Sequence, residues 1–331
     1  MGIGSGLGAS FGIKQEATFG TYIAPDHFYE VDSAQIKKVK NTSQGGGLAA
    51  GRMVQLGSRR VVANQSAAGP VTLEVPNKGG GLLFSHLYGS SVIVQQGATA
   101  AWLQTHTLAD NVGKFFTAQS GIPDVGGTPR PYSFLGGKIL AATFDCAADG
   151  QLNSTWDLDF RDVSESQSLA APSFTAGTSP FVFNQMAVKL GTFGAEASVT
   201  GVKKVTVKVE RPQNTARIYA GAAGLKAEPI MNNFIKISGT FEVDLITKAD
   251  FADRVASDLP TSLVWEFINP VAIAGAFFPT FRIRIPQIFL EGDTPTIDNP
   301  DITSGSFPFT AQFDGTNVAS TLEYMSTDIA I

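Results

Sequence analysis

Residues 69–78 read GPVTLEVPNK, and residues 239–248 read GTFEVDLITK. In the first, Val71, Leu73 and Val75 alternate with Thr72 and Glu74; in the second, Phe241, Val243 and Leu245 alternate with Glu242 and Asp244. A period of two puts apolar side chains on one face of a strand and polar ones on the other. Each segment therefore predicts a half-buried β-strand. The two align without a gap at an offset of 170 residues, about half of the 331-residue chain. Each runs into a short helix candidate, Leu82–Tyr88 and Ala249–Leu259. The shared strand-then-helix order predicts a tandem duplication of one β fold.

The text on either side agrees. Strands are expected at Phe28–Lys40, Trp102–Leu108, Lys114–Ala118, Leu135–Cys146 and Leu152–Phe160. In the second half they are expected at Phe181–Leu190, Val202–Val209, Phe234–Ile246, Leu263–Ile268, Thr280–Leu290 and Ser306–Phe313. Asp149-Gly150 marks a hairpin between two of them. Gly121–Pro131 reads as a turn region, Ser164–Ser179 as a connector and Gly292–Pro300 as a loop. With 35 Gly, 17 Pro, 24 Phe and only 16% charged residues, the composition suits many turns and half-buried pleated surfaces. The expected fold class is all-β with one or two short helices. Residues 1–12, Gly-rich, read as a flexible arm, 13–170 as a first β domain and 171–331 as a second.

Residues 41–68 are rich in Gly, Ala, Ser and Gln and form a long loop within the first domain. Arg52–Val62 reads as a hairpin arm, carrying Met53, Val54, Leu56, Val61 and Val62 beside Arg52, Arg59 and Arg60. Apolar and basic residues together predict a segment that orders against a partner; the same composition also fits a surface loop with none.

Several chemistries find no support. A net charge of −5 argues against general nucleic-acid binding, which needs clustered cations. One cysteine, Cys146, builds neither an intramolecular disulfide nor a thiolate metal site and reads as a small buried hydrophobe. No apolar run approaches the ~20 residues that cross a bilayer, and the start lacks a signal-peptide pattern; no membrane partner is expected, and the chain reads as soluble and intracellular where made. GSGLGA at 4–9 and GASFG at 8–12 match dinucleotide and serine-nucleophile patterns by letters only, without the strand and helix those sites need. Gly79-Gly80-Gly81 stands between strand and helix, as an anion site would, but lacks a Gly-Lys-Ser/Thr ending. His27, His86 and His106 are isolated from other metal-ligating types. Asp145, Asp149, Asp157, Asp159 and Asp162 fall on neighbouring strands, as a solvated face or a weak Ca²⁺ site. No catalytic residue, metal or cofactor is expected. Three Trp and six Tyr, scattered, argue against a carbohydrate-binding platform.

Gln15-Glu-Ala-Thr-Phe-Gly-Thr21, followed by Pro25, resembles the opening of siphophage tail tube (major tail) proteins. Val202–Pro212 and Ile235–Leu245 are similar to their paired second-half strands, and Ile285 through Asp314 to their C-terminal end. The resemblance implies a tail-tube β-sandwich whose inner sheets join between copies into a barrel, with rings stacked on long loops or arms. It implies a virion tail location after assembly in the host cytoplasm, with a tape-measure protein inside and tail terminator and tip proteins at the ends. DNA would cross a negative lumen without specific binding. Residues 41–68 match the stacking loop, so Arg52, Met53, Val54, Leu56, Arg59, Arg60 and Val61 become expected inter-ring contacts. Two tube folds per chain imply rings of three; one implies six. A capsid-decoration or baseplate component is the alternative.

Overall fold

In the computed structural model, which describes residues 4–292 and 303–331, the first strand begins inside the segment read as a flexible arm. Strand β1 (Ser10–Gln15) buries Phe11 and Ile13 and pairs with β2 (His27–Tyr29). Glycine-rich composition concealed it. Gly12 lies against Phe28, where a Cβ would come within 2.7 Å of the ring, so a small residue is required by packing.

Next, β3 (Ser33–Ala34) and β4 (Lys37–Gln44) pair along one edge of β5 (Arg60–Glu74). Val71, Leu73 and Val75 are buried, as their alternation requires. Helix α1 (Gly81–Tyr88) follows with every residue buried, and ends at Gly89, whose φ of 93° favours glycine. The first half continues through β6 (Gly89–Gln95), β7 (Trp102–Leu108), β8 (Phe116–Pro123), β9 (Pro129–Ala147), β10 (Asn153–Phe160) and β11 (Asp162–Ser164). Strand β9 serves two neighbourhoods: residues 129–137 pair with β8, and residues 138–145 with β10. Asp149 takes a φ of 61° in the turn after it, as the Asp-Gly signal demands.

The second half runs β12 (Met186–Thr192), β13 (Ala195–Ser198), β14 (Val202–Glu210), the short β15 (Gln213–Asn214) and β16 (Ile230–Met231), then β17 (Lys236–Asp244). Helix α2 (Ala252–Ser257) precedes β18 (Thr261–Ile268), β19 (Thr280–Leu290), β20 (Ser304–Ala311) and β21 (Thr321–Ser326). Phe241 and Val243 are buried on β17, while Leu245 lies just past its end and is half-buried. The loop expected at Gly292–Pro300 lies, from residue 293 on, outside the described residues.

Antiparallel pairing in the first half follows the order β4–β5–β10–β9–β8–β1–β2. In the second it follows β14–β17–β20–β19–β18–β12–β13. Register repeats with order. Trp156 faces Val71 across β10–β5, and Phe307 faces Phe241 across β20–β17. A bulge lies between Phe116 and Ala118 on β8 and between Thr261 and Leu263 on β18, each where the long strand changes partners. A Cβ on Gly69 would meet the Gln35 carbonyl oxygen at 2.2 Å, and one on Gly239 would meet that of Thr206 at 2.1 Å. The β6–β7 hairpin departs from the pattern, and β21 of the second half pairs with β7.

Phe84 of α1 sits between layers. Its ring lies 5.1–6.3 Å, centroid to centroid, from Phe144 and Trp156 on β9 and β10 and from Phe281 and Tyr324 on β19 and β21. One buried ring of this size contributes about 2–3 kcal/mol by area, with edge-to-face pairing adding up to about 1 kcal/mol per pair.

A charge ladder crosses the second half. Lys189 on β12 pairs with Glu266 on β18 at 2.5 Å, Glu266 with Arg282 on β19 at 2.7 Å, and Arg282 with Glu323 on β21 at 2.6 Å. Burial by itself would raise the Glu266 carboxyl, but hydrogen bonds from Lys189 and Arg282 outweigh it and hold it below the usual range. A depressed carboxylate stabilises above its unfolded value near 4.5 and loses that contribution as pH falls through its folded value. Glu266→Ala, which leaves Lys189 without its carboxylate and Arg282 with Glu323 alone, is expected to cost about 3 kcal/mol at pH 7. Urea unfolding at pH 7 and pH 3 checks both effects: the gap between variant and parent should shrink in acid.

Candidate assembly surface

The residues expected to meet a partner lie on one projecting ribbon. Strands β4 and β5 pair from Lys37 opposite Ala68 out to Gln44 opposite Arg60. Residues 41–44 and 60–68 of the loop read at 41–68 are therefore paired strand, and the arm read at Arg52–Val62 is displaced: Arg52, Met53, Val54 and Leu56 belong to the tip, 45–59, while Arg60 and Val61 open β5. Polar strand text, KNTSQ and ANQS, conceals the ladder because its side chains are exposed or half-buried on both faces and leave no alternation to read.

The ribbon exposes what a monomer normally hides. Leu48 and Met53 are fully exposed, Val54 is 83% exposed, and Val39, Leu56, Val61 and Val62 are exposed as well. Between residues 33 and 73 the chain carries Lys37, Lys38, Lys40, Arg52, Arg59 and Arg60 and no Asp or Glu. That unbroken basic stretch on an acidic chain is the sequence signal that would have marked the whole ribbon. Arg52, Arg59 and Arg60 make no ion pair among the described residues. Apolar anchors beside arginines are the side chains that dominate binding energy at interfaces.

Beside the ribbon, β4 is paired on one edge only among the described residues, by β5. Its counterpart β14 is closed on both edges, by β17 and by residues 141–147 of β9. An unpaired edge presents backbone donors and acceptors to any strand that fits.

The link from β14 to β17, residues 211–235, folds back over the first half. Arg211, buried, donates to the carbonyl oxygens of Leu87 at 2.6 Å and Ala109 at 2.5 Å. Burial brings its guanidinium down to about 10, still charged at neutral pH. Lys226 meets Asp159 of β10 at 2.5 Å, and Glu228 meets Lys138 of β9 at 2.5 Å, with the Lys138 side chain wholly buried. Burial lowers the Lys138 ammonium, and the Glu228 carboxylate pulls it back up. Gln213 donates to the Ile139 carbonyl oxygen at 3.0 Å. None of these pairings was legible in the sequence, since their members stand 67 or more positions apart with no spacing to connect them.

The other residues singled out by sequence have structural settings. The Gly79 amide donates to Asp328 Oδ2 at 2.6 Å, so a carboxylate of the chain itself occupies that anion position. Gly81 is small because Gln104 would lie 2.3 Å from a Cβ. His86 is buried edge-on to Phe116 and pushed down to about 3 by burial; His106, likewise about 3, shares a 2.7 Å hydrogen bond with Ser91. His27 pairs with Asp26. Asp159 is taken by Lys226, and Asp162 accepts from Gln65 at 2.7 Å. Cys146 is buried, its thiol pushed up to about 12 by burial. Trp156 and Trp265 are buried in the core and form no platform. Among the described residues no group of three or more His, Cys, Asp or Glu is placed to hold a metal ion.

A family model described as phage tail tube protein matches residues 6–311. A search of curated proteins gives no match.

Proposed function

The chain belongs to the phage tail tube protein family, a structural component of the virion tail, and from that premise we propose how its copies join. The observation that carries the proposal is the joint inside the chain. Strand β14 is completed by β9, whereas β3 and β4, in the same place in the first half, lack that neighbour among the described residues. A second copy supplies it: the second half of one chain meets β3 and β4 of the next as β9 meets β14.

Repeated about an axis, this joint is heterologous and closes into a ring, which completes the open edge of β3 and β4 in every copy. The chain is a tandem duplication, its repeats spanning residues 10–164 and 186–326, so three chains supply six tube folds in pseudo-sixfold order. The ribbon carrying Arg52, Met53, Val54, Leu56, Arg59, Arg60 and Val61 is a contact arm between copies. Rings stack around a tape-measure protein and end on terminator and tip proteins. The wall facing DNA is net negative, so DNA slides through without specific binding. The role is structural, without catalysis.

Electron microscopy of the purified protein tests this reading. Hollow tubes with threefold rotational symmetry are expected. Six chains per ring would contradict the duplication, and discrete particles that never polymerise would contradict the function.

A further inference from the structure

The ribbon and residues 211–235 are the same link in the two halves. Val39 faces Ser66 across β4–β5 as Glu210 faces Lys236 across β14–β17, and the links between those pairs, residues 40–65 and 211–235, are nearly equal in length. One is seated on a neighbouring tube fold; the other, beyond its base, where Gly224 lies against Ala63 and Gln65 donates to Asp162, projects into solvent. The seat of 211–235 is built from the end of α1, Lys138 of β9 and Asp159 of β10, which face each other across the ladder. In the second half the facing pair is Phe289 and Thr310, on β19 and β20. There Thr310 donates to Glu291 Oε1 at 3.1 Å. The end of α2 adds Asp258 and Leu259, and Phe313 follows β20; Leu259 and Phe313 are each 65% exposed. The first seat is covered within the chain. Among the described residues the second is uncovered; Leu259 and Phe313 make it apolar, and Asp258, Glu291 and Asp314 outnumber Arg254 there.

We infer that the ribbon of one copy clamps this seat on the second half of the laterally adjoining copy in the same ring, not on the next ring. The inference rests on the ring reading above. Charge favours it: the link carries Lys40, Arg52, Arg59 and Arg60 and no acid, and meets Asp258 and Glu291. Shape follows from the repeat, because a joint that copies β9–β14 carries the link after β4 over the neighbouring fold as it carries 211–235 over the first half. Leu48, Met53, Val54 and Leu56 then leave water against Leu259, Phe289 and Phe313.

The test is a full-length double variant, Met53→Cys with Phe313→Cys, treated with a short bismaleimide on rings separated from tubes by sedimentation. Both positions are exposed, and Cys146 is buried with its thiol pushed up to about 12, so the background is low. Covalently joined chains are expected in isolated rings at roughly tenfold or more the yield of either single variant, because docking raises effective concentration. Joined chains only in tubes would overturn the lateral seat while leaving the ring reading intact. Rings and tubes without joined chains would also overturn it. If the unmodified protein forms neither, the ring reading fails and this inference with it.

Discussion

Replacing residues 46–58 by Asn-Gly is expected to leave the chain folded and to suppress polymer. The Gly45 amide already donates to the Arg59 carbonyl oxygen at 3.2 Å, so the ribbon can close over a two-residue turn at that point. Every residue removed is exposed, so the stability of the isolated chain should change by no more than about 0.5 kcal/mol. The loss falls on assembly. Leu48, Met53, Val54, Leu56 and Arg52 go together, and two or three such anchors at about 1–2 kcal/mol each raise the concentration at which polymer appears by about a hundredfold or more. Sedimentation against protein concentration reads this directly. Tubes at the parental concentration would show that the ribbon is not a contact arm.

Lys226→Met is expected to have the largest effect on folding. Lys226 and Asp159 are both buried, and burial pushes the Asp159 carboxyl up while the Lys226 ammonium draws it back. Removing the lysine leaves a buried carboxylate without its cation, at a cost of about 3–5 kcal/mol. At roughly 2–4 °C per kcal/mol for a chain of this class, the melting temperature should fall by about 10 °C. Lys226→Met with Asp159→Leu should recover most of the loss, since a buried pair exchanged for apolar residues of similar volume is often neutral. A double variant as unstable as the single would place the energy in packing of residues 211–235, not in the ion pair.

The two effects are complementary. Inside the chain, residues 211–235 tie the second half to the first; between copies, the ribbon is proposed to do the same for the open joint. Loosening the first should widen the angle between the two halves and so impair ring closure as well as stability. The same variant can therefore be scored twice, by melting and by the fraction of closed rings.

The strands most readable from sequence are those with one wet face and one dry face. Trp102–Leu108 and Thr280–Leu290 have the bounds expected, and α1 and the buried face of β5 follow the alternation and the glycine stop. Where that asymmetry fails, the reading failed. β1 was lost in glycine-rich text, and β6, with Val92 and Val94 exposed, shows no dry face. β21, with Leu322 and Tyr324 buried between polar neighbours, was legible and was missed. The proposed duplication shows in sequence as one ten-residue alignment, between β5 and β17, while the repeated strand order shows only in the pairing. Of the assembly surface, sequence gave the ribbon's apolar and basic residues but neither its ladder nor its seat, which depend on pairings far apart in the chain.

The central claim is that the missing neighbour of β3 and β4 comes from another copy in the geometry of β9 on β14. A cryo-EM map of the tube, traced beside β4, tests it most directly. An antiparallel strand from the second half of an adjoining chain, about 4.8 Å away, is the predicted result. A β4 edge left facing solvent, or paired with the first half of another copy, would contradict it.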